Sequence, residues 1–500
     1  MAKSTVRRIL RGLFVGVVVL LAVVAGRAVL LRPELREPGK PLELPVRAEE
    51  AARRLGEGIR FRTVSYEKGP DSPDPTEEFR GMHEHLERTY RRAHTVLRRE
   101  VVGGASLLYT WEGSDPSLLP VLLMGHLDVV PVEPGTEDDW QVPPFSGQIE
   151  GGFVWGRGAL DDKVNVYGLL EAVELLLERG FSPRRRVFLA FGHDEELGGD
   201  EGAGGIAALL EERGVELAFV LDEGGAVVEG LAPGLERPVA AVGVGEKGYL
   251  SVELEVEMQG GHSSAPPRET AIGVLARAVR RLEERQMPSH FDGPMRAFLE
   301  AVAPYAAWPY RLVLSNLWLF GPAVERILLG MPQGNAALRT TTAPTIFRAG
   351  VKDNVLPSRA SAVVNFRIYP GETSEDVLEH VRRVVGDPRV VVRPWVAREP
   401  TELSPTDSEA FGLLERAIRK IFPDAVVAPN LIPGGTDARH FRRLSRNVYG
   451  FTPMRLGSAD LVRLHGTNER LSVRAFADVV RFYAQLLHDA ASSDLQRTSS

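Results

Sequence analysis

Residues 120–130 read PVLLMGHLDVV and residues 186–196 read RVFLAFGHDEE, two short apolar runs that each end in histidine and acid. Between them Val164–Arg179 spaces its leucines as a helix does and closes on Gly180. A third apolar run, Leu217–Leu221, leads into Asp222. Strand, helix, strand in this order is βαβ logic, so the chain predicts an α/β fold with a mainly parallel sheet. In such a sheet the ends of successive strands gather at one edge, where these folds place their sites. His126, Asp128, Glu195, Glu196 and Asp222 are therefore expected on one rim. Asp161 and Asp162, which open the intervening helix after the turn Trp155-Gly156-Arg157-Gly158, can join them.

Carboxylates crowded on one edge repel one another unless cations neutralise them, and metal is the simplest cation. The chain has no cysteine, which excludes disulfides, thiolate metal sites, iron–sulfur clusters and cysteine nucleophiles. Histidine and carboxylate without thiolate suit zinc, with cobalt or manganese as substitutes. His126 and Asp128 lie two apart on extended chain and project to one side, so Asp128 can fix the imidazole tautomer and leave the other nitrogen for metal. Of the adjacent Glu195 and Glu196, one can bind metal while the other remains a general base, its pKa raised by partial burial beside other carboxylates.

Farther along, Tyr249–Met258 alternates polar and apolar residues with period two, the pattern of a half-buried strand. A helical pattern at Thr270–Glu284, strands at Ile346–Val351 and Ala360–Ile368, a helix from Ser374 to about Val385 and a strand around Arg389–Val392 give a β-α-β-β-α-β order. That order predicts a separate two-layer α+β domain at residues 248–402, inserted between residues 49–247 and 403–490 of the parallel-sheet domain. At about 150 residues per domain, 500 residues accommodate this organisation. Tyr305, Trp308, Tyr310, Trp318 and Phe320 crowd into the insertion, either as buried packing or as an apolar wall for a substrate or partner.

At the N-terminus, residues 1–11 carry Lys3, Arg7, Arg8 and Arg11, and residues 12–31 are apolar except for Arg27. The run approaches the ~20 residues that span a bilayer. It reads as a signal-anchor ahead of a cleaved secretory signal or a buried helix, since residues 22–28 hold no clean small-x-small cleavage site. The basic flank keeps the N-terminus inside and puts the remaining chain outside the cytoplasm. A Pro-rich linker, residues 32–48, follows, and residues 491–500 form a polar tail. A net charge of −7 removes the strong basic field expected of a nucleic-acid binder. Two motifs mislead. Gly243-Val244-Gly245-Glu246-Lys247-Gly248 fits a dinucleotide fingerprint as a string, but a strand pattern follows where a helix is required. His83 and His85 imitate a metal pair on a helix where residues two apart diverge, and read as surface histidines.

Together, residues 124–131 (MGHLDVVP), 156–163 (GRGALDDK) and 194–196 (DEE) with Gly198-Gly199 resemble the di-zinc metallopeptidase family of carboxypeptidase S, aminoacylase, carnosinase and the desuccinylases. The likeness covers roughly residues 50–490 and is greatest to the branch of carboxypeptidase S and the secreted N-fatty-acyl amino acid synthase/hydrolase. The resemblance implies two zinc ions, bridged by Asp161, with His126 and Asp222 completing one and Glu196 and His465 the other. It implies Glu195 as general base and makes the inserted domain a lid. Within the lid, His262 in Gly260-Gly261-His262-Ser263-Ser264 would stabilise the oxyanion, in some relatives from a partner subunit, which makes a homodimer through the lid an expectation. Asn354 and Arg367 would bind substrate, and Gly434, Gly435 and Thr436 would line its pocket. The implied activity is amide hydrolysis on short peptides, as in carboxypeptidase S, or on N-acyl amino acids. A non-catalytic, membrane-tethered binding protein is the competing class, and it loses support because all five ligands and the base are present.

Overall fold

The computed structural model describes residues 2–33, 39–67, 69, 72–231 and 234–493; residues 34–38 of the linker and 494–500 of the tail lie outside the described residues. The chain opens with α1 (Ala2–Leu30). Its segment Thr5–Leu30 has 26 residues and a mean hydropathy of 2.6, long and apolar enough to cross a membrane. Val24 and Ala28 are buried while the rest of its large apolar side chains are exposed, so α1 is not a buried core helix.

The larger sheet begins with β1 (Arg98–Val102), β2 (Ser106–Trp111) and β3 (Val121–His126), and continues through α2 (Lys163–Glu178) to β4 (Val187–Gly192), β5 (Phe219–Asp222) and β6 (Val239–Glu246). β3 runs parallel to β4, with His126 opposite Gly192, and parallel to β5, with Leu123 opposite Leu221. Their carboxyl ends therefore share one edge, while β1 and β2 add antiparallel pairing on the β4 side. α2 is buried along most of its length, because its leucines and valines meet both the sheet and a later helix in one core. Burying each such side chain is worth about 1.5–3 kcal/mol.

Four strands make the lid sheet: β7 (Gly248–Glu257), β9 (Thr341–Ala349), β11 (Arg359–Ile368) and β12 (Val390–Arg398), in the order β9-β11-β7-β12 and antiparallel throughout. Between them β8 (Gly261–His262) and β10 (Val355–Leu356) pair as a small separate ribbon. Two helices cover one face of the sheet. α3 (Ala271–Glu284) starts on Thr270, whose hydroxyl accepts the Gly273 amide. α7 (Ser374–Val385) starts on a capping box between Thr373 and Asp376 and stops at Gly386, where φ is 53°. β6 runs directly into β7, so the Gly243–Gly248 string is strand and opens no helix.

The stretch between α3 and β9 folds as a helical excursion, α4 (Pro294–Val302), α5 (Tyr310–Leu314) and α6 (Leu317–Leu329). Its buried side chains Phe298, Leu299, Val302 and Leu317 meet Leu235, Val239, Val426 and Ala428 of the parallel-sheet domain, and the lid helices take no part in that cluster. The aromatic-rich sequence divides: Tyr305 packs against this cluster and Phe320 is half-buried, while Trp308 (59%), Tyr310 (46%) and Trp318 (51%) are solvent-exposed. The chain then returns to the larger sheet with β13 (Val426–Ile432) parallel to β6 and β14 (Val448–Gly450) parallel to β5, and ends in α8 (Val473–Ser492).

Candidate functional site

The rim at the carboxyl edge assembles as the strand order requires. His126 ends β3, Asp161 and Asp162 precede α2, Glu195 and Glu196 form a tight turn after β4, and Glu223 follows β5. His465 comes from the loop ahead of α8. His126 Nε2 lies 2.8 Å from Asp161 Oδ1 and 3.5 Å from Glu223 Oε1. His465 Nε2 lies 2.9 Å from Asp161 Oδ2 and 3.6 Å from Glu196 Oε1. Each oxygen of Asp161 thus faces one histidine, and the described residues contain three candidate ligand groups, His126–Asp161–Glu223, Asp161–Glu196–His465 and His126–Glu195–Glu196, the first two of which share Asp161. Glu196 Oε1 is buried without a hydrogen-bond partner in the protein, an acceptor left for a cation.

Asp222 is not in either group. It lies on the strand face of Val220, which packs with Met124, Ala438 and Phe441, and its carboxylate accepts the Ala438 amide at 2.8 Å. Glu223, the first residue beyond the strand, points to the rim in its place. Asp128 is fully buried and does what its spacing predicts: Oδ1 is 3.2 Å from His126 Nδ1, and the carboxylate also accepts the Ser65 hydroxyl and the Glu195 and Glu196 amides. It therefore orients the histidine and fastens the glutamate turn together. Asp162 turns below the rim and accepts the His126 amide at 3.1 Å. The His465 loop is locked by a buried ion pair: Arg157 Nη1 donates to Glu469 at 2.7 Å, Arg157 Nη2 to the His465 carbonyl at 2.9 Å, and Glu469 also accepts the Leu160 amide at 2.7 Å.

The electrostatics carry the strain of clustered acids. Burial, then repulsion from Asp161, pushes Glu196 up to about 7 and Glu223 up to about 8. Burial also holds Glu195 well above its ordinary range, with the neighbouring carboxylates adding to it. The Asp161 hydrogen bond raises His465 to about 9. Burial alone would lower His126, yet hydrogen bonds to Asp128, Asp161 and Glu223 raise it well above its usual value. Imidazoles drawn toward the charged form by surrounding carboxylates mark a place where positive charge is wanted, and divalent cations satisfy the same field.

A cleft of about 570 Å³ covers the rim. Asp161, Glu195, Glu196, Glu223, His465, Gly434 and Gly435 line it from the parallel-sheet domain, and Tyr249, Arg367 and Arg398 from the lid. The Arg367 guanidinium sits 4.7 Å from the centre of the Tyr249 ring. Thr436 lies beneath this lining, where it accepts the Ala438 amide and binds Glu246 through its own amide and hydroxyl. His262 and Asn354 are outside the cleft lining, on the β8–β10 ribbon, where Ser263 donates its amide to the Asn354 carbonyl. A larger cavity of about 1000 Å³, with Phe79, Val101 and His193 in its wall, adjoins the cleft and shares Glu67 and Leu197 with it. His83 and His85 are not surface residues: His83 bonds the Ala105 carbonyl, and His85 is buried between Phe61 and Tyr167.

Sequence reasoning missed Glu223 and gave Arg157 and Glu469 no role, and it set Asp162 on the rim whereas its carboxylate accepts the His126 amide below it. Arg157 stood inside the quoted segment 156–163 and Glu469 four residues after His465, and period-two alternation from Val220 would have turned Asp222 inward.

Residues 122–489 match the family model described as peptidase family M20/M25/M40. Among curated proteins, the N-fatty-acyl-amino acid synthase/hydrolase PM20D1 of Xenopus tropicalis is 41% identical over 99% of this chain and 97% of its own length. The probable carboxypeptidase S-like 2 of Dictyostelium discoideum is also 41% identical, over 97% and 94%. Among solved structures, the M20 family metallo-carboxypeptidase Sso-CP2 of Sulfolobus solfataricus shares the fold with a TM-score of 0.64 at 20% identity, covering 88% of this chain and 98% of that one. A family model spanning most of the chain, relatives aligned over nearly its full length, and a His/Asp/Glu cluster suited to metal agree: the chain belongs to the M20/M25/M40 peptidase family, as a metallohydrolase.

Proposed function

We propose that this enzyme hydrolyses the amide bond of N-acyl amino acids and short peptides, releasing an amino acid that carries a free carboxylate. The observation that carries the reading is the sharing of Asp161 between two three-residue ligand groups. Two divalent cations, zinc by the chemistry of a cysteine-free histidine and carboxylate set, would be held by His126–Asp161–Glu223 and Asp161–Glu196–His465, and would supply charge neutralisation, carbonyl polarisation and an acidified water. Glu195 takes the proton of the attacking water on its carboxylate and returns it to the leaving nitrogen; its burial beside Glu196 and the Asp128-anchored backbone suit that task. Arg367, placed over the Tyr249 ring, receives the substrate carboxylate, and Gly434 and Gly435 leave the chain room to approach.

The acyl side of the substrate is assigned to the larger cavity that adjoins the cleft at Glu67 and Leu197. That assignment, together with the 41% identity to an N-fatty-acyl-amino acid synthase/hydrolase, favours long acyl chains; the carboxypeptidase S-like relative keeps peptides as the second reading. Purified full-length enzyme tested on a dipeptide panel and on long-chain acyl amino acids separates them. The reading expects higher kcat/KM on the acyl amino acids, and turnover confined to dipeptides contradicts it.

His262 is assigned as the oxyanion donor: Nδ1 accepts the Ser264 amide at 3.1 Å, which leaves the proton on Nε2. Because its ribbon is not part of this chain's cleft lining, we assign it to the cleft of a second copy, in a homodimer joined through the lid. Asn354 on the same ribbon, whose buried side-chain oxygen has no partner, goes with it. The catalytic domain comprises residues 49–247 and 403–490 and the lid residues 248–402, with α1 as a membrane anchor that places both outside the cytoplasm.

A further inference from the structure

Toward its outer end α1 meets the folded part. Asn316 Nδ2 donates to the Val24 carbonyl at 3.0 Å, Arg27 Nε donates to the Ser315 carbonyl at 3.2 Å, and Val24 and Ala28 are the buried residues of the helix. These partners sit at the junction of α5 and α6 in the helical excursion. If residues 12–31 fill the hydrocarbon layer, Val24 is seven residues from its outer end, about 10 Å at 1.5 Å per residue. The α5–α6 junction is then drawn to that depth beside α1, which only an apolar surface tolerates.

The outward surface of the excursion has that character. On α6 the exposed residues Trp318, Leu319, Pro322, Ala323 and Ile327 share one outward face with the exposed Arg326, whose apolar stem can lie along that face while its charge reaches the headgroups. Trp308 and Tyr310, just before and at the start of α5, extend it with large aromatic side chains. The acid of α6, Glu325, is turned aside to accept the Ser289 hydroxyl at 2.6 Å. A soluble surface rarely exposes so many large apolar side chains together, and Trp and Tyr concentrate where hydrocarbon meets headgroups, with basic residues beside them. Arg27, the one charge in the span, is satisfied by a backbone carbonyl, as intramembrane arginines are.

We propose that the outward face of α5 and α6 docks into the headgroup and acyl boundary of the leaflet where α1 ends, a bilayer surface being its partner. The proposal rests on α1 acting as a membrane anchor and goes beyond it, since an anchor alone leaves the enzyme swinging on its linker. The inner face of the excursion packs on Val239, Val426 and Ala428 of the catalytic sheet, so docking fixes the orientation of the site relative to the membrane. Interfacial helices bury about 5–10 Å into that boundary, which agrees with the depth set by Val24.

Tryptophan emission tests this directly, with full-length enzyme in phosphatidylcholine vesicles whose acyl chains are plain or brominated. Trp111, Trp140 and Trp155 are buried in the protein, while Trp395 is exposed on the lid strand β12. Brominated lipid is expected to dim the wild-type emission, the Trp308→Phe/Trp318→Phe variant to lose most of that dimming, and Trp395→Phe to keep it. Each single substitution should lose a part, so the result does not depend on the double variant folding. A chain that floats with the vesicles yet shows no dimming, or shows it undiminished in the double variant, overturns the docking face alone. Dimming that is absent because the exposed tryptophans are covered by a second copy overturns it equally. A chain that does not float with the vesicles refutes the anchor and the docking face together.

Discussion

Glu195 and Glu196 are adjacent in sequence, both within reach of His126, and the proposed mechanism gives them opposite duties because His465 reaches Glu196. His465 Nε2 lies 3.6 Å from Glu196, while Glu195 remains in the cleft wall with its amide held by Asp128. Glu195→Gln is expected to lower kcat by about 10²- to 10⁴-fold with metal content unchanged, as elemental analysis of the purified variant checks. The pKa pattern gives a second expectation. In the metal-free protein Glu196, near 7, and Glu223, near 8, stay protonated in the fold long after an unfolded glutamate at 4.5 has ionised, and His465 holds its proton to about 9. The folded state therefore binds more protons than the unfolded one as pH rises toward 9, so the metal-free fold loses stability over that range. Metal displaces those protons and gains affinity in the same direction. The fall in melting temperature on adding chelator should thus be larger at about pH 8.5 than at about pH 6 by thermal denaturation; equal falls would remove the carboxylate repulsion from the account. The convergence of His126, Glu195 and Glu196 was legible in the sequence because strand ends in a parallel sheet converge, while the place of His465, on a loop, came only from the resemblance. Asp222 misled because residue type was read without the strand's alternation, which hands its carboxylate to the Ala438 amide.

At the scale of elements, the site depends on a turn and a loop that are far apart in sequence and fastened by one ion pair. Arg157 and Glu469 are almost fully buried, and Glu469 also caps the Leu160 amide next to Asp161. Removing one partner of a buried pair strands the other, at a cost of about 3–5 kcal/mol. Glu469→Ala should accordingly lower the denaturation midpoint and release the His465 loop, with about one metal equivalent lost. Full metal retention would show that the loop holds itself. The lid elements were readable from period two and capping residues, and Ser374–Val385 falls where the pattern sets it. The aromatic excursion was not, because density of aromatics does not say which side of a helix faces protein. Its burial is decided by contacts with Val239 and Val426, far away in the chain.

At the scale of the molecule, the proposal divides anchoring, chemistry and substrate capture among α1, the two-part parallel-sheet domain and the inserted domain. If His262 serves a neighbouring cleft, two inactive variants should rescue one another. Mixed dimers of Glu195→Ala and His262→Ala chains carry one intact site, and random association in a two-fold dimer restores up to about a quarter of wild-type activity. A mixture no more active than its components would return His262 to its own chain or exclude it from the reaction. The sequence could not decide this, since the ribbon's distance from the cleft is a property of the assembled lid. The central claim remains that Asp161 joins two cation sites. It is tested most directly by counting metal per chain in purified wild-type, Glu223→Ala and Asp161→Ala enzyme. Two equivalents, about one, and close to none, with hydrolysis lost in both variants, are the expected results; an Asp161→Ala enzyme that keeps two equivalents and its turnover would contradict the account.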